Sequence, residues 1–340
     1  MSGGMTEAMS GGISGRNFRR EPDFPIDVVI VNYRTGPLVV ECLSSLDAER
    51  RSGARLRAIV VDNDSRDGSA ELLQATIARE GWDWTTLVRS PTNGGFGTGC
   101  NIGIEHALRD SEARGVWLLN PDTRVMPGAV NALASFMAAT PRAGIVGTAL
   151  LLGDGSPWPY SFRFPTVLGE LERALRWGPA TRLLAGHMTA RRMDGRAQQM
   201  DWVSGASMAV RREALQQGLR FDEDYFLYYE ETDFCREAKA RGWQCWYAPR
   251  PTVLHVAGQS TGLTAADAHA RRVPQYWFAS RRRYFRKNHG WAYALAADLA
   301  WVAGHCLHLV KQQLRRKPRE DPPRLLSDFV WFGMLAPERR

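Results

Sequence analysis

The chain has 340 residues, 44% of them hydrophobic and 24% charged, a globular composition that excludes a largely disordered protein. Its length fits about two folded units, or one large α/β unit with an appendage. The net charge of +8 is unevenly placed: residues 271–319 hold 12 Lys and Arg against the single acid Asp298, so the remainder sums to −3. A near-neutral body with a basic C-terminal third argues against a nucleic-acid partner.

Residues 1–24 are Gly- and Ser-rich and lack the apolar core of a secretory signal, so they read as a flexible lead-in. From Ile26 onward short apolar runs alternate with helically spaced segments. Strands are expected at 26–31, 57–61, 85–88 and 116–119, where β-branched and aromatic residues cluster in runs too short for helices. Helices are expected at 38–46, 69–80, 99–109 and 129–140. This alternation predicts a mostly parallel sheet flanked by helices, with the ligand at the C-terminal ends of the strands. Residues 153–200, rich in Gly, Pro, Trp and Arg, read as an irregular insertion over a site. A compact block follows at 201–249, then an Arg-rich segment and an amphipathic helix over 291–317. The chain thus divides into 1–24, two halves of an α/β domain at 25–150 and 151–260, and a basic helical extension at 261–340. Five scattered cysteines, none at CxxC spacing, indicate neither a disulfide framework nor a zinc ribbon and fit a reducing compartment.

The polar motifs fall at strand ends. The first strand runs into Asn32-Tyr33-Arg34 and the second into the Asp62–Ser69 stretch, where Asp62 is placed to accept an N–H from a base. A turn followed by a helix N-cap accounts equally for that stretch. The glycine-rich run 93–101 lets backbone approach a ligand ahead of a helix N-terminus. It is no dinucleotide fingerprint, because the third glycine position is occupied by Cys100. Asp122, in Asn120-Pro121-Asp122-Thr123, is either a single-point metal ligand or part of an Asx turn. Glu230, Glu231 and Asp233 lie beside aromatic residues that desolvate carboxylates, but acids also favour the first turn of a helix. A helix starting at Glu230 puts Glu230 and Asp233 on one face and points Glu231 elsewhere.

Taken together and in this order, Ile30–Arg34, Val61–Ser69, Asn93–Gly97, Leu119–Asp122, Ser204–Ala206, Tyr228–Asp233 and His255 resemble family 2 glycosyltransferases of the GT-A fold. Within that family the chain is similar to the bacterial rhamnosyltransferase-like branch that builds cell-surface polysaccharide, over about residues 26–290. The resemblance implies inverting transfer from a nucleotide-diphosphate sugar to a hydroxyl acceptor, with dTDP or UDP as the nucleotide and dTDP-rhamnose as the first choice. It implies that Asn32, Tyr33 and Asp62 line the nucleotide pocket. Asn93, Gly95 and Asn101 would then lie near the ribose and diphosphate, and Asn120 and Asp122 would occupy the family's D-x-D position, where a cation binds the diphosphate. Asp122 and His255 would hold Mg2+ or Mn2+, the cation that offsets charge growing on the leaving nucleotide. Trp202, Ser204, Gly205 and Glu230 would face the acceptor.

The family's base is the second acid of a Glu-Asp pair. Here that position is Glu231, one methylene longer, so Asp233 stays as a second candidate. The Gln-x-x-Arg-Trp motif of processive synthases is missing, which implies limited transfer per encounter. Arg281–Lys287 and the 291–317 helix are expected to address an anionic membrane surface, at the inner face of the plasma membrane, where a lipid-linked oligosaccharide acceptor would reside. The competing readings are a non-catalytic nucleotide-sugar or glycolipid-binding module and a nucleotidyltransferase. The sequence sets no oligomeric state.

Overall fold

The computed structural model of the chain describes residues 23–109, 112–158, 160–256, 271–316, 318 and 321–337. Nearly all of the lead-in expected at 1–24, and the boundary expected at 260, lie outside them.

The fold opens with β1 (Ile26–Asn32), α1 (Gly36–Arg51), β2 (Leu56–Asp62), α2 (Ser69–Glu80), β3 (Thr85–Arg89), α3 (Phe96–Arg109) and β4 (Gly115–Leu119). The four strands pair in parallel, in the order β3-β2-β1-β4, and parallel neighbours require the helical crossovers that intervene. β1 is buried over its whole length because helices cover both faces. Val28, Ile30, Val60 and Trp117 enter one core, and Val29, Val31, Ile59 and Leu118 the other, with the period of two that a pleated strand imposes.

β5 (Thr123–Val125), α4 (Ala129–Ala139) and β6 (Ala143–Leu151) come next. They are followed by β7 (Tyr160–Phe162), α5 (Val167–Leu175), α6 (Gly178–Leu183), β8 (Ala190–Arg192) and β9 (Gln198–Met200). The last elements are β10 (Ser207–Arg211), α7 (Arg212–Gln216), α8 (Glu230–Ala240), β11 (Gln244–His255), α9 (Gln275–His289), α10 (Trp291–Leu314) and α11 (Leu325–Asp328). Among the described residues the main sheet has nine strands, ordered β3-β2-β1-β4-β10-β6-β11-β5, with β9 on β11. β10, β5 and β9 run antiparallel to their neighbours, so the sheet is mixed but mostly parallel, as expected.

Two expectations are corrected. The 153–200 segment is not irregular: its α5 begins at Thr166, whose Oγ1 accepts Gly169 N–H at 3.1 Å, and packs along α10. The Arg281–Lys287 cluster, expected to face a membrane, is largely engaged within the protein. Arg281 is 1% exposed, bonds Glu170 and Asp298, and lies between the Phe285 and Phe329 rings at 4.8 and 4.7 Å. Arg282 bonds the Ala336 carbonyl. Arg283 and Lys287 pair with Asp222, and also with Asp224 and Asp233 respectively. Guanidinium groups at this helical spacing thus hold the extension onto the α/β body. α10 is also turned inside out. Asp298, His305, His308 and Gln312 are buried, whereas Leu299, Leu307, Val310 and Leu314 are exposed.

Candidate active site

The strand ends meet at one edge of the sheet. β1 and β2 are locked there by Asn32, whose Nδ2 donates to Asp62 Oδ1 at 2.7 Å and to Ser65 Oγ at 3.0 Å. Its Oδ1 accepts Thr35 N–H and Thr35 Oγ1–H. Asp62 Oδ1 also accepts Ser65 Oγ–H at 2.6 Å, while Oδ2 has only Ser65 N–H, at 3.3 Å. Spare acceptor capacity toward a base therefore lies on Asp62 Oδ2. Tyr33 is 39% exposed at the mouth of this turn, with the Arg34 guanidinium 5.1 Å from its ring centroid.

The glycine-rich run packs more than it cradles. Gly95 adopts φ +92°, and a Cβ there would fall 2.0 Å from Phe226 O, so only glycine lets this turn dock on the 222–229 loop. Helix α3 starts at Phe96 rather than at the expected Gly99. A Cβ on Gly99 or Gly103 would press against Val31 or Val29, so these glycines bring the helix down on β1. Asn93 Oδ1 accepts Gly95 N–H and Asn63 Nδ2–H. Asn101 has a different task from the one expected by the ribose and diphosphate. Its amide accepts Phe221 N–H and donates to Phe221 O and Glu223, fixing the next loop. Asn63, which the sequence reading treated as a turn residue, has a buried Oδ1 with no partner, beside Asn93 and Gly95. Its place directly after Asp62 was the only signal for it.

At the end of β4, Asn120 N–H bonds Ala206 O and its carbonyl accepts Thr123 Oγ1–H. Asp122 is 5% exposed, and its Oδ1 accepts no hydrogen bond although His255 Nε2 lies 3.3 Å away. The two are brought together because β5 and β11 pair His255 with Thr123. Among the described residues no cluster of three or more His, Cys, Asp or Glu side chains forms a complete cation cage. An orphaned, buried carboxylate oxygen beside an imidazole nitrogen nevertheless fits a divalent cation that draws its other ligands from a substrate.

The acidic run opens α8, and the structure separates its members. Asp233 Oδ2 pairs with Lys287 Nζ at 2.6 Å and Oδ1 accepts Asn288 Nδ2–H at 2.7 Å, so this carboxylate is held by α9. Glu230 is 4% exposed with an unpartnered Oε2. Burial, then repulsion from Glu231, raises its pKa well above the ordinary value. Glu231 Oε2 is likewise buried and unpartnered, and burial pushes its pKa up to about 7. A Cβ on Gly205 would lie 3.8 Å from Glu231 Cβ. Gly205 adjoins Ala206, and the Ala206–Asn120 bond links Glu231 to the edge that bears Asp122. Tyr228 and Tyr229 enter α8 at φ +70° and +68°, a rare backbone for two bulky residues that costs of order 1–3 kcal/mol each. Trp202 stacks on Phe162 at 4.1 Å and donates Nε1–H to Arg163 O, while Ser204 Oγ accepts Ala206 N–H at 3.3 Å.

A mixed, mostly parallel sheet with helices on both faces, an Asp122–His255 pair at the ends of β4 and β11 and buried glutamate oxygens at the start of α8 are features of a GT-A glycosyltransferase architecture. The sequence profile described as "Glycosyltransferase like family 2" matches residues 22–290, and the chain belongs to this family. It is 30% identical over 315 residues to an N-acetylglucosaminyl-diphospho-decaprenol L-rhamnosyltransferase of Mycobacterium tuberculosis, covering 86% of this chain and 95% of that protein. It is 28% identical to the low-salt glycan biosynthesis hexosyltransferase Agl10 of Haloferax volcanii, over 63% of this chain and 61% of that one. Among solved structures it is similar to the mannosyltransferase PcManGT of Pyrobaculum calidifontis in complex with GDP-Man and Mn2+. There the TM-score is 0.55 at 16% identity, with 86% of this chain and 76% of that one covered. GalNAc-T7 with UDP, GalNAc and Mn2+ gives a TM-score of 0.56 at 12% identity, over 91% and 56% of the two chains. At these identities the structures speak for the fold. The chain is thus a rhamnosyltransferase-like member of family 2.

Proposed function

We propose that the protein is an inverting glycosyltransferase that moves a sugar from a nucleoside-diphosphate donor to a hydroxyl of a lipid-linked acceptor. L-rhamnose from dTDP-rhamnose is the first choice, in keeping with the activity named for the Mycobacterium relative. The observation that carries this reading is Glu231, whose Oε2 is buried and unpartnered and whose pKa is raised to about 7. A general base serves best when its pKa lies near the working pH.

In this reading Glu231 takes the proton of the acceptor hydroxyl as its oxygen attacks the anomeric carbon from the face opposite the leaving group. One C–O bond forms, the bond to the diphosphate breaks, and no covalent enzyme intermediate arises. Tyr33 and Asp62 would receive the base, with Asn93 and Asn63 at the ribose and diphosphate. Asp122 and His255 would hold Mn2+ or Mg2+, which when bound offsets the charge on the departing diphosphate. Asn32, Gly95 and Asn101 act one step back, by fixing the loops that carry these groups. Asp233 is a positioning residue, tied to α9, and Glu230 borders the acceptor side with Trp202, Ser204 and Gly205. Two solved structures of this fold carry Mn2+, in keeping with a divalent cation in this reading.

The lipid-linked acceptor implies work at the inner face of the plasma membrane. The apolar outer face of α10 supports that reading better than the basic residues of α9. The test is transfer from dTDP-L-rhamnose to a short-chain N-acetylglucosaminyl diphosphate lipid, by wild type and by Glu231→Gln. Turnover in the wild type that Glu231→Gln abolishes upholds the proposal. Turnover equal in the two overturns Glu231 as base, and none in either favours a binding module.

A further inference from the structure

The turn that delivers Glu231 is held from α9. Tyr228 and Tyr229 both have positive φ, a conformation that bulky residues keep only where their surroundings impose it. Tyr229 is also the N-cap of α8, and its carbonyl accepts Asp233 N–H at 2.9 Å. Its backbone therefore sets the first helical turn, which carries Glu230 and Glu231. Upstream the chain is fixed at Phe226, whose carbonyl accepts Phe96 N–H at 3.2 Å.

Between these two points the contacts come from α9. Ser280, 4% exposed, donates Oγ–H to Leu227 O at 2.9 Å, immediately before the two tyrosines. A serine inside a helix often returns its hydroxyl to a carbonyl of its own helix, whereas this one reaches across to another segment. The Tyr276 ring lies nearly parallel to Tyr228, with centroids 6.2 Å apart, and the Tyr284 ring is 5.4 Å from Tyr229. Lys287 Nζ bridges Asp222 and Asp233 at 2.6 Å each, across the whole stretch. Positions 276, 280, 284 and 287 recur at the spacing of one helical face.

We propose that Ser280 is a positioning residue for the transfer: it holds the Tyr228–Tyr229 turn, and through that turn it sets the direction in which Glu231 meets the acceptor hydroxyl. The inference rests on the glycosyltransferase reading above. α9 takes Asp233 from the same helical turn, so its hold on Glu231 runs through the backbone. Without the Ser280 bond the turn relaxes toward ordinary backbone, which swings Glu231 and admits water. Burial is what raises Glu231, so hydration lowers its pKa from about 7 toward the ordinary glutamate range. The other titratable groups that face Glu231 are Glu230, Tyr229, Cys235 and, from α3, Cys100. Burial keeps the tyrosine and both thiols neutral near pH 7, which leaves the glutamates to set the pH profile there.

The transfer assay above is run across pH on the wild type, Ser280→Ala and Ser280→Thr, with dTDP affinity measured beside it. Ser280→Ala is expected to lower kcat by about ten- to a hundredfold, the scale of a slightly misplaced reacting group. It should also move the rising limb of kcat/KM to lower pH while dTDP affinity holds. Ser280→Thr keeps the hydroxyl and should stay near the wild type. Ser280→Ala with wild-type kcat, or with an unmoved limb, overturns the inference even if its melting temperature falls. Equal loss in Ser280→Ala and Ser280→Thr overturns it too, by assigning the effect to packing. Tyr276→Leu loosens the turn through another contact and decides by the same criteria should Ser280→Ala not fold. Folded wild type without turnover, or full turnover in Glu231→Gln, removes the parent reading and this inference together. Glu231→Gln inactive beside an unaltered Ser280→Ala removes this inference alone.

Discussion

Glu230 and Glu231 are adjacent in sequence and differ in what their environment asks of them. Glu231, its pKa raised to about 7, can serve as the proposed base only when ionised. The kcat/KM profile is therefore expected to rise with pH through about 7, and Glu231→Gln to lower kcat by about 10²–10⁴-fold with nucleotide affinity retained. Asp233→Asn breaks the pair with Lys287 but should keep the pH profile in place, which distinguishes positioning from proton transfer. Glu230 carries a stability signature instead. Its native pKa lies above the unfolded value of roughly 4.3, so the native state binds the extra proton and stability falls as pH rises past that value. Glu230→Gln removes that slope: the variant should melt above the wild type at pH 8, with the gap closing toward pH 4. Parallel melting curves across that range would refute the buried, protonated Glu230.

At the scale of elements, the C-terminal helices belong to the catalytic body. Arg281 joins α5, α9 and α10 through Glu170 and Asp298, all buried. Arg281→Ala takes its partner from buried Asp298 and leaves Glu170 with Arg173 alone, and is expected to cost about 3–5 kcal/mol in urea unfolding. The membrane contact proposed above would fall on the outer face of α10, where Leu299, Leu307, Val310 and Leu314 are exposed. Leu299→Glu with Leu307→Glu should abolish co-sedimentation with anionic vesicles while activity on a water-soluble acceptor persists. Unchanged vesicle binding would remove α10 from that role. Local signals made some of this readable. Helix 69–80 follows its periodicity to the residue, and the strands around Ile26 and Val116 are continuous apolar runs. α5 escaped because its order depends on α10, more than a hundred residues downstream. The start of α3 escaped because its glycines, which signal a loop locally, are required by close contact with Val29 and Val31. The direction of the α9 charges escaped for the same reason, since Asp222 and Asp233 lie 50 to 65 residues away.

Across the whole molecule, the fold gathers Asp62, the Asp122–His255 pair and Glu231, the groups proposed for nucleotide, cation and proton transfer, from separate stretches of chain. Asp122 and His255 are 133 residues apart and meet only through the β5–β11 pairing. The order of the motifs and their family likeness pointed to that pair, whereas neither residue stood out alone. Helical spacing already sets Glu231 apart from Asp233, but what each meets, Gly205 for the one and Lys287 for the other, is visible only in the fold. The most direct test of a donor site at this edge is calorimetric titration with dTDP, UDP and GDP, with and without Mn2+, on the wild type and on Asp122→Ala. The expected result is a clear preference for one nucleotide, tightened by Mn2+ in the wild type and indifferent to it in Asp122→Ala. Folded wild-type protein that binds none of the three, or binds them alike with or without the cation and with or without Asp122, would contradict it.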